Sequence, residues 1–170
     1  MSLKNRKMKA DTTKNDCKQT RSPYIHYGES GKYIQIPANV LRIEDGAFLG
    51  LDLPTVLLPD GIKTIGRAAF LASEVENVAL PDTLEVIEDD AFSGCRYLQQ
   101  IYLPASLTRI GARAFMGCES LREIHIPKSV QIIEDEAFAF CAKLNSVTLP
   151  ENFNGLGKDV FRNSPFSEKF

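Results

Sequence analysis

Residues 98–120 read LQQIYLPASLTRIGARAFMGCES. Part of the phrase returns upstream as IEDDAFSGCRYL (87–98) and downstream as IEDEAFAFCAKL (133–144). Six prolines mark the period, Pro37, Pro59, Pro81, Pro104, Pro127 and Pro150, spaced 22, 22, 23, 23 and 23. Eleven residues after each stands Phe48, Phe70, Phe92, Phe115, Phe138 or Phe161. Six after each stands Ile43, Ile65, Ile87, Ile110, Ile133 or Leu156, and three after it Val40, Ile62, Leu84, Leu107, Val130 or Phe153. A fixed period of this length marks a stacked repeat.

Each unit can be read physically. The stretch before Pro alternates apolar and polar, as in IYLP (101–104), IHIP (124–127) and VTLP (147–150). That period of two predicts a short half-buried strand, and Pro, which lacks a donor, ends it. A turn follows, then a second apolar pair such as Leu107 and Ile110, then a short helical piece around Ala114–Phe115. One unit alone has no partner for its apolar face; stacked copies pair their strands and close the Ile, Leu and Phe columns into a continuous core. With neighbouring strands about 4.8 Å apart, six coils make a rod roughly 25 Å long.

The consensus LxxIxLPxSLxxIGxxAFxGCxx resembles the BspA-like leucine-rich repeat, and residues 98–120 match nearly every column of it. The resemblance covers about residues 33–170. It implies an α/β, right-handed solenoid of six coils, with a parallel β-sheet on the concave face and short helical turns on the convex side. It also implies a surface or secreted protein of a host-associated microbe that binds host proteins or other cells.

The 170 residues suit one domain with a real core, and 44% hydrophobic and 25% charged residues are ordinary for a soluble globular chain. The net charge of −2 is unevenly spread. Residues 1–21 hold seven basic groups against Asp11 and Asp16, a net of +5, which leaves −7 on the rest. With so little apolar content, residues 1–22 read as a disordered basic leader. Its charge would suit an anionic partner, yet without aromatics or an amphipathic period nucleic acid is not the expected one. YIHYGESGKYIQIP (24–37) has two alternating aromatic runs around a Gly-containing turn, so residues 23–36 read as an N-terminal capping hairpin with the first strand. Residues 37–170 form the array, whose last coil stops at SPFSEKF; there Phe166 and Phe170 are expected to fold over as a capping lid, or else the coil is truncated and belongs to a longer array, or the open end pairs with a second copy. No apolar run reaches signal-peptide or membrane-span length, which by itself would place the chain in the cytoplasm, against the cell-surface localisation of the family.

Cys95, Cys118 and Cys141 each fall three places after Phe, where other units carry Leu51, Ser73 and Ser164. Stacked side chains do not aim at one another, so a disulfide is disfavoured. A straight column without a nearby His offers neither convergent metal ligands nor a base. The cysteines therefore read as core filling. Before Ala-Phe (Val-Phe in the last copy) the units read EDG (44–46), GRA (66–68), EDD (88–90), GAR (111–113), EDE (134–136) and GKD (157–159). Glu and Gly alternate strictly, pointing to an older duplication of a two-coil block. Arg113 is expected between Asp90 and Glu136, with Lys158 beyond Glu136 and the acidic groups at helix N-termini. Glu88, Asp89 and Asp90 read as this structural ladder rather than as a metal or acid/base site. GLGK (155–158) lacks the spacing of a phosphate loop.

Function is expected where the repeat is broken. The outward strand position two before Pro holds Gln35, Leu57, Ala79, Tyr102, His125 and Thr148, and the one four before holds Tyr33, Thr55, Asn77, Gln100, Glu123 and Ser146. Tyr102 beside His125, flanked by Gln100 and Glu123, is the most recognition-like patch, with Leu57 and Asn77 further along. The predicted function is a non-catalytic module binding a protein or surface glycan, with no cofactor and no metal. A structural spacer, or an intracellular effector using its basic tail, are the alternatives.

Overall fold

A computed structural model describes residues 25–28, 31–52 and 54–169. The basic leader, Leu53 and Phe170 lie outside these residues.

The chain is a parallel β-solenoid of about five turns, with eleven short strands among the described residues. They are β1 (Ile25–Gly28), β2 (Gly31–Gln35), β3 (Arg42–Ile43), β4 (Thr55–Leu57), β5 (Thr64–Ile65), β6 (Asn77–Ala79), β7 (Val86–Ile87), β8 (Arg109–Ile110), β9 (Glu123–His125), β10 (Ile132–Ile133) and β11 (Ser146–Thr148). The strands preceding the prolines form one face of the solenoid. There β1 pairs antiparallel with β2, which continues in parallel through β4 and β6; β9 and β11 form a separate parallel pair. A second parallel ladder runs unbroken through β3, β5, β7, β8 and β10, and Leu156 extends it by one bridge. Between the two ladders the carbonyl of Pro37, Pro81, Pro104, Pro127 or Pro150 accepts the N–H three residues on, closing a turn.

The side opposite the strands departs from the sequence reading. No α-helix forms among the described residues; a 3₁₀ turn at Pro165–Lys169 is the helical element there. Turns replace the expected helical pieces. Their N–H groups divide into two alternating sets. Ala47, Leu49 and Leu51 donate three residues back, whereas Gly46, Phe48 and Gly50 donate across to the carbonyls of Arg67, Ala69 and Leu71 in the next coil. An α-helix would use every N–H within its own segment; here half of them tie the coils together. The arrangement needs left-handed backbone twice per coil. Those positions are Gly46, Ala68, Asp90, Arg113, Glu136 and Asp159, and then Gly50, Ala72, Gly94, Gly117, Phe140 and Asn163.

The core lies between strands and turns as columns. Neighbouring Phe rings from Phe48 to Phe161 stack 5.0–5.8 Å apart, within 2–5° of parallel in the middle of the column and tilted at both ends. Phe166 closes the column edge-on against Phe161, as the expected lid. That lid covers only the turn side, and Val147, Leu149, Phe153 and Leu156 stay half-buried at the same end.

Candidate functional site

The strand face and the turn face treat polar groups in opposite ways. On the turn face most of the charges have a partner. Arg113 grips Asp90 through two bonds of 2.9 Å, Arg67 reaches Asp89, and Arg162 pairs with Glu136. Arg113, expected between Asp90 and Glu136, pairs with Asp90, and Glu136 pairs with Arg162 instead. The sequence reading missed Arg42 and Arg109, five residues after their prolines. Arg42 spans two coils to Glu88 at 2.8 Å and also holds Asp45, and Arg109 bridges Asp89 and Glu134. The Glu88 and Asp45 carboxylates raise the Arg42 pKa, and Asp90 raises that of Arg113. The signal was present, because the guanidiniums stand two residues before the acidic triplet or its counterpart in each pair.

The glycine places of the Glu/Gly alternation have a steric cause. Asp45, Asp89 and Asp135 each fold a carboxylate oxygen over the next coil, accepting the backbone N–H of Arg67, Ala112 and Lys158 at 3.0, 3.2 and 2.8 Å. A Cβ on Gly66, Gly111 or Gly157 would stand 2.6 Å from that oxygen. Glu88, Asp89 and Asp90 are therefore stitching, and with no helix behind them no helix dipole is involved.

The cysteine column is buried and unbridged. Each thiol donates to the carbonyl of a Phe in the preceding coil: Cys95 to Phe70 at 3.1 Å, Cys118 to Phe92 and Cys141 to Phe115 at 3.2 Å. The same carbonyls already accept the N–H three residues on in their own coil. Cys here is thus a small apolar filler that still carries a donor, which explains why Ser73 and Ser164 share the column. Burial pushes the Cys95 thiol up to about 11 and Cys141 up to about 12, with Cys118 also raised well above its ordinary value.

The strand face is different. A depression of about 230 Å³ lies between the fourth and fifth strand segments, where Gln100, Tyr102, Glu123 and His125 meet and Ser146 and Thr148 join from the next coil. Four of the six residues expected at a site are thus together; Leu57 and Asn77 lie outside it on β4 and β6. Ser146 and Thr148 belong to the same outward columns, one coil further on. All six around the depression are exposed, Tyr102 to 78%. Among the described residues no hydrogen bond or ion pair engages the side chains of these six. The main chain is also unusual here. Gln100–Leu103 makes no backbone hydrogen bond to β6 or β9, so the sheet is interrupted at this coil. The break coincides with the change of repeat length from 22 to 23. Inward-facing Ile101 and Ile124 contribute to the lining, so the depression dips between the coils.

Comparison with known proteins settles the family. Residues 19–121 and 63–170 match the BspA type leucine-rich repeat region, in six copies. The chain belongs to the BspA-type leucine-rich-repeat family. Solved structures of this type superpose well on it. A leucine-rich repeat protein from Bacteroides ovatus is 35% identical with a TM-score of 0.69, over 84% of this chain and 36% of that one. A leucine rich cell surface protein from Faecalibacterium prausnitzii is 30% identical with a TM-score of 0.64, over 75% and 38%. The leucine-rich repeat protein of T. pallidum, 26% identical with a TM-score of 0.68, is covered over 90% of its length. This BspA-type chain spans little more than a third of the first two structures. No curated protein matches it. Among the described residues no helix is long and apolar enough to cross a membrane. A BspA-type repeat array is a scaffold suited to protein interaction.

Proposed function

We propose that this chain is a non-catalytic recognition module that binds a protein or glycan of another cell or matrix through its strand face. One contrast supports the reading. The turn face uses its charges on itself, whereas Gln100, Glu123, His125, Ser146 and Thr148 surround an open Tyr ring with their hydrogen-bonding capacity unspent. Tyr gives contact area at low entropic cost and is enriched where binding energy concentrates. That the Faecalibacterium relative is a cell surface protein supports presentation outside the cell. A spacer role is the second reading, favoured by the small share of the longer relatives that the chain spans. The half-buried Val147, Leu149, Phe153 and Leu156 would then serve for end-to-end contact.

The test is binding of the purified chain to an array of extracellular-matrix proteins and glycans. Replacing both Tyr102→Ala and His125→Ala should reduce binding by at least tenfold, about 1.4 kcal/mol, while Arg113→Ala on the turn face leaves it unchanged. Equal binding by the double variant and the parent would transfer the case to the spacer.

A further inference from the structure

We propose that the strand face is a weak self-association surface, on which a second copy of this chain docks about a two-fold axis running along the Gln100–Leu103 segment.

The observation is a charge pattern sorted by coil. β6 is flanked by Glu76 before it and Asp82 after it, both exposed. β9, two coils on, carries Arg122 and Lys128 in the same two columns, also exposed. Between them, Gln100–Leu103 has the neutral Gln99 and Ala105 at those places. Among the described residues no ion pair engages Glu76, Asp82, Arg122 or Lys128, in contrast to the paired charges of the turn face. The face is thus acidic on one coil, neutral on the next and basic on the one after.

A closed two-fold interface needs a patch that matches itself. Two face-to-face arrangements of the strand faces have that symmetry. With the axis along the solenoid, each coil meets its own copy with the strands reversed. Glu76 would then face the partner's Asp82, and Arg122 the partner's Lys128, like against like. With the axis along Gln100–Leu103, β6 instead meets β9 of the second copy. Glu76 then faces the partner's Arg122 and Asp82 the partner's Lys128, each match being repeated by symmetry. The open ring of Tyr102 meets its own copy near the axis, where two aromatic rings can stack offset. Asn77 and Ala79 lie opposite the longer Glu123 and His125, so no bulky pair collides there. One match is adverse: Asp60 would lie opposite the partner's Glu151 two coils from the axis, an exposed pair of small weight.

Five coils at about 4.8 Å, by about 20 Å of strand, bury roughly 1,000 Å² over both partners. That is the low end of specific interfaces, so the dimer is weak, and its charges set register more than strength. A docked copy covers Tyr102 and His125 and would compete with any ligand of the strand face.

Analytical ultracentrifugation of the whole chain tests this. A monomer–dimer equilibrium should appear at about 20 mM salt and weaken about tenfold at about 300 mM, as screening takes hold. Reversing the acids (Glu76→Lys with Asp82→Lys) should abolish the dimer, and so should reversing the bases (Arg122→Glu with Lys128→Glu). Mixed together, the two variants should form a heterodimer, because one is basic on both coils and the other acidic on both. All four side chains are exposed, so each variant should keep the parent's thermal unfolding. A parent that stays monomeric to about 1 mM overturns the proposal. A dimer indifferent to both reversals lies elsewhere on the chain and overturns it too, and loss without recovery on mixing overturns the two-fold pairing. Should a reversed variant fail to fold, Tyr102→Ala decides, with dimerisation weakened about tenfold if the ring sits on the axis and unchanged strength overturning it. Array binding is read with dilute, monomeric chain, so failure of this inference leaves the recognition reading standing.

Discussion

At the scale of single residues, the glycines that alternate with Glu are the sharpest constraint. Gly111 has a Cβ position 2.6 Å from both the backbone nitrogen and a carboxylate oxygen of Asp89, and backbone cannot swing aside as a flexible side chain can. Gly111→Ala should therefore cost at least about 2–3 kcal/mol in chemical denaturation. Gly94→Ala, whose nearest contact is 3.5 Å away, bears only the left-handed penalty of about 1–2 kcal/mol. Equal losses would contradict the interlock. The thiols give a second residue-scale prediction. In the unfolded chain a thiol ionises near pH 8.5, whereas burial holds Cys95 and Cys141 protonated up to about 11 and about 12. Above roughly pH 8.5 the unfolded state loses protons that the folded state keeps, so stability falls as pH rises, by about 1.4 kcal/mol per pH unit per thiol. Replacing Cys95, Cys118 and Cys141 by Ser, the residue already used at 73 and 164, should flatten that alkaline limb while keeping a donor for each Phe carbonyl.

At the scale of elements, the coil is the unit and its neighbours are its environment. Phe115 lies between Phe92 and Phe138 at 5.3 and 5.1 Å with rings nearly parallel, so truncation opens a cavity shared by three coils. Phe115→Ala should cost about 3–5 kcal/mol. In hydrogen exchange, the amides of Gly94 and Gly117 should lose protection first, because both donate in the ladder beside these rings. The core columns were legible in the sequence because burial repeats with the period: Ile110, Ala114, Phe115, Cys118 and Leu121 are all fully buried. That same spacing is what misread the turns. Apolar residues four, five, eight and eleven places after Ile110 imitate one face of a helix. Nothing in the apolar pattern says whether an N–H will bond within its segment or across to the next coil. The left-handed positions gave no consistent cue either, since Asp90, Arg113 and Phe140 occupy places that glycine fills elsewhere.

For the whole molecule, family and general architecture could be read from the columns, and the meeting of Gln100, Tyr102, Glu123 and His125 from the outward positions. The break in the sheet could not, because IYLP alternates as well as IHIP or VTLP does and a missing hydrogen bond leaves no mark on apolarity. The Asp–Gly interlock has a consequence for how such a chain can change in length. A coil beginning with Glu-Asp can be followed only by one beginning with Gly, whereas a Gly coil places no such demand on the coil after it. Deleting residues 66–87 would set Glu88 where Gly66 stood, with a side chain forced against Asp45. That protein should fold poorly, judged by a lost or broadened unfolding transition. Deleting residues 88–133 removes two coils, again brings Glu after Gly, and should leave a shorter rod with one cooperative transition. Two coils of the Glu type should then never be neighbours, so an array of this kind can gain or lose a coil only where the Glu-type coils stay apart.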